Sequence, residues 1–386
     1  MPYPFQSFPG KVCHDAPREV CGAPTRPEQI GIPGRDTCWR FPEDVFAQFQ
    51  PIFSTTRNQI VGIEALARVR LQSGQVLAPY QFLPFLHAQQ RRELSRMMLL
   101  EGIRVLEILE AEGIQIDLSF NVDPDFMEDA DCTPCFLDVM KGTSIKPERI
   151  TLELLESGDF LNGEIVTERL QALRETGAHI ALDDIGSAYS SLLRLKKLPI
   201  SKIKLDQELV RDLDRDPKIL SFIQSIKFLA DGLGATLIVE GVETPSILDA
   251  VFQLRQDLVQ GFAIARPLDF PELLDMIRRG SAGILPGLPE EPISLLGAYA
   301  AHVLRRPLLY SLSHGGKDFS LANFIELCPL VQFLREHPCP EGQEILAAYC
   351  RLLQDGNKLG AVACQERILQ TEQEVQRILL AAMHPA

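Results

Sequence analysis

Five oxygen-bearing side chains, Glu64, Asn121, Glu153, Asp183 and Asp184, offer one amide and four carboxylates. Each lies within, or at the C-terminal end of, a short apolar run. Sets made only of oxygen donors suit magnesium or manganese, whereas zinc prefers His or Cys. Four acids on one face would repel one another strongly without a cation. A metal, or a pair of metals, resolves the repulsion, and two metals a few ångströms apart clamp the attacking and leaving oxygens of a phosphodiester. Lys204 adds a positive donor that could orient a water or steady the charge of a phosphorane-like transition state. Glu240 is a candidate general base. Any one of these acids has an ordinary alternative as an ion-pair partner or cap; taken as a set, they point to chemistry.

Something must bring them together. The strand candidates are "FAQFQPIFS", "GIEALARV", "IQIDLSFNV", "RITLELLE", "HIALDDI", "ISKIKLD", "ATLIVEG" and "LVQGFAIA". Helix-period segments such as "RRELSRMMLLEGIRVLEILEAEG" and "PKILSFIQSIKFLADGLG" separate most of them. Eight strands alternating with helices over about 230 residues predict an α/β fold, a TIM-barrel-like (β/α)8 barrel. In such a barrel the C-terminal strand ends converge on one face, where Glu64, Asn121, Glu153, Asp183–Asp184, Lys204–Asp206, Glu240 and Gln260 would meet. The adjacent pair Asp183–Asp184 is the odd feature, because neighbours in a regular strand point to opposite faces. The small-residue loop that follows, "GSAYSS", breaks the alternation and lets both carboxylates turn to one site.

The 386 residues suggest one large domain and a smaller one. With 46% apolar and 23% charged residues, a sizeable core can be buried. A formal net charge of −14 disfavours DNA and anionic membrane as partners. The apolar runs are too short to span a bilayer, and the start of the chain does not read as a signal peptide, so the expectation is a cytoplasmic protein without membrane insertion. Nine irregularly spaced cysteines, among them Cys13, Cys21 and Cys38, do not read as a disulfide framework. Residues 1–40 read as an extended N-terminal arm, 41–283 as the barrel and 284–290, with "GILPGLPEEP" around them, as a linker. Residues 291–386 read as an all-α regulatory or dimerisation domain of three to four helices.

Eight motifs occur in order along residues 45–282: "QPI", "EALAR", "NVDP", "LELLES", "DDIGSAYSSL", "KIKLD", "EGVET" and "QGFAIARPL". This region resembles the EAL domain, the cyclic di-GMP phosphodiesterase family of bacterial signalling. The resemblance implies that Glu64, Asn121, Glu153 and Asp183 are metal ligands and that Asp183 with Asp184 serves a second metal. It casts Lys204 as the lysine that holds the attacking water, Glu240 as the general base, and Gln260 as the residue completing the water and metal shell. Glu156 would anchor the loop after the aspartates, and Gln50, Arg68 and Pro267 would line the nucleotide site. The implied reaction is hydrolysis of one phosphodiester of cyclic di-GMP to linear pGpG, with two Mg2+ or Mn2+ ions per site. Similar domains pair through the loop and helix after the double aspartate, which implies a homodimer. The helical domain would then regulate the barrel and engage a signalling partner. The alternatives are a non-hydrolysing cyclic di-GMP receptor and a protein-interaction module. Degenerate members lose metal-ligand acids, and here none is missing, which favours hydrolysis.

The loop departs from the family's "DDFGTGYSSL" at Ile185, Ser187 and Ala188. Ser187 keeps a hydroxyl, whereas Ala188 lacks the positive-φ freedom of glycine, and these changes bear on turnover rate. Ser201 and Gln207 also differ, with a bearing on substrate affinity. "HGGKDFS" (His314–Ser320) reads as an inter-helix turn rather than a cyclase signature. "CTPC" (Cys132–Cys135) reads as structural or incidental thiols. The C-terminal pair His302 and Cys328 faintly resembles the zinc-binding bundle of CZB domains, but the two further histidines are absent and Tyr349 or Asn357 falls nearby. His302 is therefore expected to be a satisfied core or surface residue.

Overall fold

The computed structural model describes residues 28–31, 38–123, 127, 132–155, 163–186, 195–280, 289–312, 321–356 and 361–383. Its strands are β1 (Glu28–Gly31), β2 (Cys38–Phe41), β3 (Val45–Ser54), β4 (Gln59–Arg70), β5 (Val76–Leu77), β6 (Asp117–Asn121), β7 (Ile150–Leu155), β8 (His179–Ile185), β9 (Lys202–Leu205), β10 (Thr236–Val239) and β11 (Leu258–Val259). Strands β4, β6, β7, β8, β9, β10 and β11 follow one another in parallel. Strand β3 pairs with both β4 and β11 and closes the barrel.

All eight sequence-read strands are barrel strands. One feature that periodicity does not show is that β3 runs antiparallel to both neighbours. The cause is local. Only Thr55–Asn58 separate β3 from β4, and Asn58 adopts φ 51°. A connection that short makes a hairpin; a parallel crossover needs a dozen residues or more. The short strand β5 adds to β4 outside the barrel. Within the segment read as an extended arm, β1 and β2 pair as an antiparallel ribbon that buries Trp39 edge-on to Phe82. Residues 1–27 and 32–37 lie outside the described residues.

Side chains two apart on a strand share a face, and this period builds polar layers inside the barrel. In one layer Lys202 Nζ donates to Thr151 Oγ1 at 2.8 Å. Two residues further along each strand, Lys204 Nζ donates to Glu153 Oε2, also at 2.8 Å. The opposite faces carry the apolar residues of the core, such as Leu152, Leu154, Ile203 and Leu205, all at most 1% exposed.

The helices after the ribbon are α1 (Pro79–Phe82), α2 (Ala88–Ala111), α3 (Cys132–Lys141), α4 (Glu164–Glu175), α5 (Gln207–Arg211), α6 (Ile219–Leu233), α7 (Pro245–Gln253) and α8 (Phe270–Arg279). Among the described residues beyond the barrel, five helices follow: α9 (Leu295–Leu312), α10 (Leu321–Glu326), α11 (Pro329–Glu336), α12 (Pro340–Gly356) and α13 (Ala361–Met383). Their buried side chains are continuous with the barrel core, and α9 packs along α7.

A polar clamp fixes that packing. Asp249, on α7 and 1% exposed, accepts from the backbone N–H groups of Ile293 and Ser294 and from Ser294 Oγ, at 3.1, 2.8 and 2.6 Å. Ser294 Oγ in turn accepts from Gly297 N at 2.9 Å. The clamp satisfies donors that the first turn of α9 would otherwise leave open. Residues 281–288, which include most of the linker read from sequence, lie outside the described residues, as does the "HGGKDFS" turn. Cys135 is disulfide-bonded, where the sequence reading of "CTPC" was structural or incidental thiols, while Cys38, Cys328, Cys339, Cys350 and Cys364 are free.

Candidate active site

Lys204 is the centre of the site. It is 1% exposed, and its Nζ lies 2.7 Å from Glu240 Oε1, 2.8 Å from Glu153 Oε2, 3.3 Å from Glu64 Oε2 and 3.4 Å from Asp183 Oδ1. Four carboxylates on four strands or strand ends thus share one ammonium. Glu64 carries two further bonds: its Oε1 accepts from Asn121 Nδ2 at 2.8 Å and its Oε2 from Gln260 Nε2 at 2.7 Å. Gln260 also reaches Gln50 Oε1 at 3.3 Å. The register explains the meeting. Gln50 is opposite Glu64 across β3 and β4, and Asn121 is opposite Glu153 across β6 and β7.

At the double aspartate the strand alternation breaks two residues before the small-residue loop that begins at Gly186. Asp184 itself takes φ 61°, and the β8–β9 register shifts between Leu182 and Ile185. Such a conformation is uncommon outside glycine, with Asp among the tolerated exceptions. It breaks the strand alternation, and Asp183, Asp184 and Glu240 bring carboxylate oxygens within 4.8 Å of one another. Two glycines let the neighbouring strand ends close in. A β-carbon at Gly241, where φ is 67°, would lie 2.6 Å from Gln207 O, and one at Gly261 would lie 2.2 Å from Val242 O.

Burial and mutual repulsion set the charges. Burial, then Glu64, raises the Glu153 carboxyl well above its usual range despite Lys204. Burial raises Asp183, partly offset by Lys204. Burial likewise pushes Glu240 up to about 8 against the pull of Lys204. At Glu64 burial is outweighed by Lys204 and the Gln260 bond, and the carboxyl sits below its ordinary value. Lys204 is held charged: burial opposes it, but Asp183, Glu153, Glu240 and Glu64 raise its pKa well above the usual lysine value. One cation is therefore asked to compensate more acid than it can. Glu153 Oε1 and Gln260 Oε1 are buried acceptors without a hydrogen-bond partner, a costly state that a bound cation would relieve. Oxygen donors, excess negative charge and unpartnered acceptors together fit a hard divalent ion.

A cavity of about 530 Å³ opens over these groups. Gln50, Arg68 and Pro267 line it beside Glu64, Asp183, Asp184, Lys204, Glu240 and Gln260. Arg68 Nε donates to Gln48 Oε1 at 2.9 Å. Asn121 and Glu153 join through their bonds to Glu64 and Lys204. Glu156, Ser187 and Ala188 lie outside the described residues. Asp206, also at a strand end, is a helix cap: its side chain accepts from Glu208 N at 2.8 Å. The sequence reading missed Arg211, which pairs with Glu243 at the rim, and Arg266, which stacks over the Phe262 ring at 4.0 Å. Arg266 lies within the motif "QGFAIARPL" and Arg211 five residues past "KIKLD", so position relative to the strand ends was the available signal.

The family model of the EAL domain matches residues 43–267. The chain belongs to the EAL domain family. Its EAL domain is similar to that of the cyclic di-GMP phosphodiesterase PA2567 of Pseudomonas aeruginosa, 32% identical over 232 residues covering 60% of this chain and 40% of the relative. It is also similar to the cyclic di-GMP phosphodiesterase RocR of the same organism, 30% identical over 230 residues, covering 59% of each chain. The chain thus spans well under two thirds of either relative. Among solved structures, the EAL domain matches the PaMucR phosphodiesterase in complex with c-di-GMP, with a TM-score of 0.55 and 26% identity, over 60% of this chain and 94% of that one. The EAL enzyme Bd1971 shares the fold with a TM-score of 0.57 at 23% identity, covering 61% of this chain and 65% of that one. Among the described residues no helix is long and apolar enough to cross a membrane.

Proposed function

We propose that this protein hydrolyses one phosphodiester of cyclic di-GMP to give linear pGpG, using divalent metal, and that its C-terminal helices control the rate. The observation that carries the reading is the intact set of Glu64, Asn121, Glu153, Asp183, Asp184 and Glu240 gathered around Lys204. Glu64, Asn121, Glu153 and Asp183 would hold one ion, with Asp183 and Asp184 serving a second. Bound Mg2+ or Mn2+ would neutralise phosphate charge and lower the pKa of the attacking water.

The chain's own residues supply the rest. Lys204 presents a permanently charged donor that orients the water and opposes charge building on the phosphate. Glu240, whose carboxyl burial pushes up to about 8, would accept the proton of that water in its ionised form. Gln260 fixes Glu64 and completes the water shell. Gln50, Arg68 and Pro267 line the cavity and would hold the nucleotide, and Glu156 would anchor the loop after the aspartates. Pairing of two copies through that loop gives the homodimer we propose. Incubation of the purified protein with cyclic di-GMP and Mg2+ or Mn2+, followed by chromatography, should show pGpG. Bound but unchanged nucleotide would establish the receptor reading instead.

Metal binding should depend on pH in a definite direction. Glu240 keeps its proton in the folded, metal-free protein up to about pH 8. The unfolded chain loses that proton near the ordinary carboxyl value, so metal-free stability falls as pH rises between the two. An ion must displace the proton, so affinity rises about tenfold per pH unit below that value for one proton released. The gain in melting temperature on adding Mn2+ should therefore grow from about pH 6 to about pH 8 and level off above. A gain independent of pH would remove Glu240 from the site.

A further inference from the structure

The core of the helical bundle holds a second constellation of reactive groups, remote from the cavity. His302 on α9 is 0% exposed, and its two ring nitrogens face opposite partners. Nδ1 lies 3.2 Å from Cys328 Sγ, at the start of α11, and Nε2 lies 2.9 Å from Glu372 Oε2, on α13. Glu372 is braced by Arg306 Nε at 3.0 Å, and Tyr349 OH on α12 donates to Glu372 Oε1 at 3.3 Å. Arg306 also donates to Tyr299 OH at 2.8 Å. These are the titratable groups that the surrounding helices turn toward the imidazole. The sequence reading left His302 open between a core and a surface residue; it is buried, and its partners make it more than a packed ring.

The side chains stand in a line: guanidinium, carboxylate, imidazole, thiol. Burial opposes charge on His302, but Glu372 and Cys328 outweigh it and raise its pKa to about 10. Burial pushes the Cys328 thiol up, yet His302 and the first backbone N–H groups of α11 bring it below its ordinary value. A buried cysteine in apolar surroundings is inert; one paired with an imidazolium at a helix N-terminus is a nucleophile. Because the two ring nitrogens of His302 face away from each other, the geometry suits proton transfer along the line rather than one ion shared by Cys328 and Glu372.

We propose that Cys328 is a site of oxidation by small uncharged hydroperoxides, with Sγ as the nucleophile and His302 Nδ1–H as the proton donor. The thiolate attacks one peroxide oxygen, the O–O bond breaks, and the departing oxygen takes the proton of His302. With hydrogen peroxide the products are a sulfenic acid, water and neutral imidazole; sulfur loses the two electrons that the peroxide gains. Cys328 is 1% exposed, which selects for a small, neutral oxidant. Oxidation removes the thiolate–imidazolium pair at the centre of four helices.

The test treats the intact protein at neutral pH with hydrogen peroxide and dimedone, which captures sulfenic acids, and counts labelled peptides by mass spectrometry. Capture at Cys328 should be at least about tenfold faster than at the exposed Cys38 and Cys350. His302→Gln should lower it by about tenfold or more and leave Cys38 unchanged. Since that variant can loosen the bundle, the wild type supplies a second measurement: capture at Cys328 should be faster in native buffer than in guanidinium, where the pair with His302 no longer exists. Capture no faster than at Cys38 and Cys350, or faster in the unfolded chain, overturns the proposal.

Discussion

Replacing Glu64 with alanine is expected to reduce cyclic di-GMP hydrolysis by about 10³-fold or more at saturating Mg2+, the scale on which losing a transition-state charge interaction acts. Among the clustered acids, Glu64 is bonded to three different elements of the barrel. Glu64 accepts from Asn121 on β6, from Gln260 beyond β11 and from Lys204 on β9. Its carboxyl is also the one among the clustered acids held below its ordinary value, so it is ionised and ready for a cation when Glu153, Asp183 and Glu240 still resist ionisation. The variant should therefore lose the metal-induced gain in melting temperature along with the activity. Glu64→Gln keeps an acceptor for Asn121 but not the charge, and should follow the alanine variant in both readouts. Cys350→Ser, on the exposed face of α12, should do neither. A Glu64→Ala protein that still makes pGpG at a normal rate and still melts higher with Mn2+ would remove Glu64 from the metal site.

The sequence disclosed the barrel because its strands are short, apolar and regularly interrupted by helices, and each carries one polar residue near the same end. That pattern places Glu64, Asn121, Glu153, Lys204, Glu240 and Gln260 on one face, and the register explains their contacts. What was not legible depended on backbone details or long-range pairing. The antiparallel direction of β3 follows from a hairpin whose two strands look like any others. The turning of Asp184 depends on a single φ of 61°, so the sequence marked the pair but not which residue bends. Arg211 and Arg266 reach the rim from helical and loop positions that carry no period. Glu372 is 70 residues from His302 in the chain, and nothing in its helix distinguishes it from its acidic neighbours. The same is true of Asp249, whose role as a clamp for α9 appears only when the barrel and the bundle are seen packed together.

That clamp carries the second large effect. Gly297→Val is expected to cost about 3 kcal/mol of stability, the upper end for an overpacked contact, and to change the rate of hydrolysis per folded molecule. A β-carbon at Gly297 would stand 1.9 Å from Asp249 Oδ2 and 2.4 Å from Cγ. Asp249 has little room to yield, because Oδ2 already accepts from Ile293 N, Ser294 N and Ser294 Oγ. Relief of the clash must come from moving α9 away from α7, which breaks the clamp and the apolar packing behind it. Helix α7 starts at Pro245, capped by Thr244, whose Oγ1 accepts from Ile247 N at 3.2 Å. Only Gly241, Val242 and Glu243 separate that cap from Glu240, so a displaced α7 pulls on the strand end that holds the proposed base. Ser294→Ala removes two bonds of the clamp, Oγ to Asp249 Oδ2 and Gly297 N to Oγ, without a clash and should cost only about 1–2 kcal/mol. Chemical denaturation measures the stability terms, and initial rates at saturating metal measure the coupling. If Gly297→Val melts like the wild type, α9 does not bear on Asp249 as described. If it is destabilised but hydrolyses at an unchanged rate, the bundle supports the barrel without controlling it.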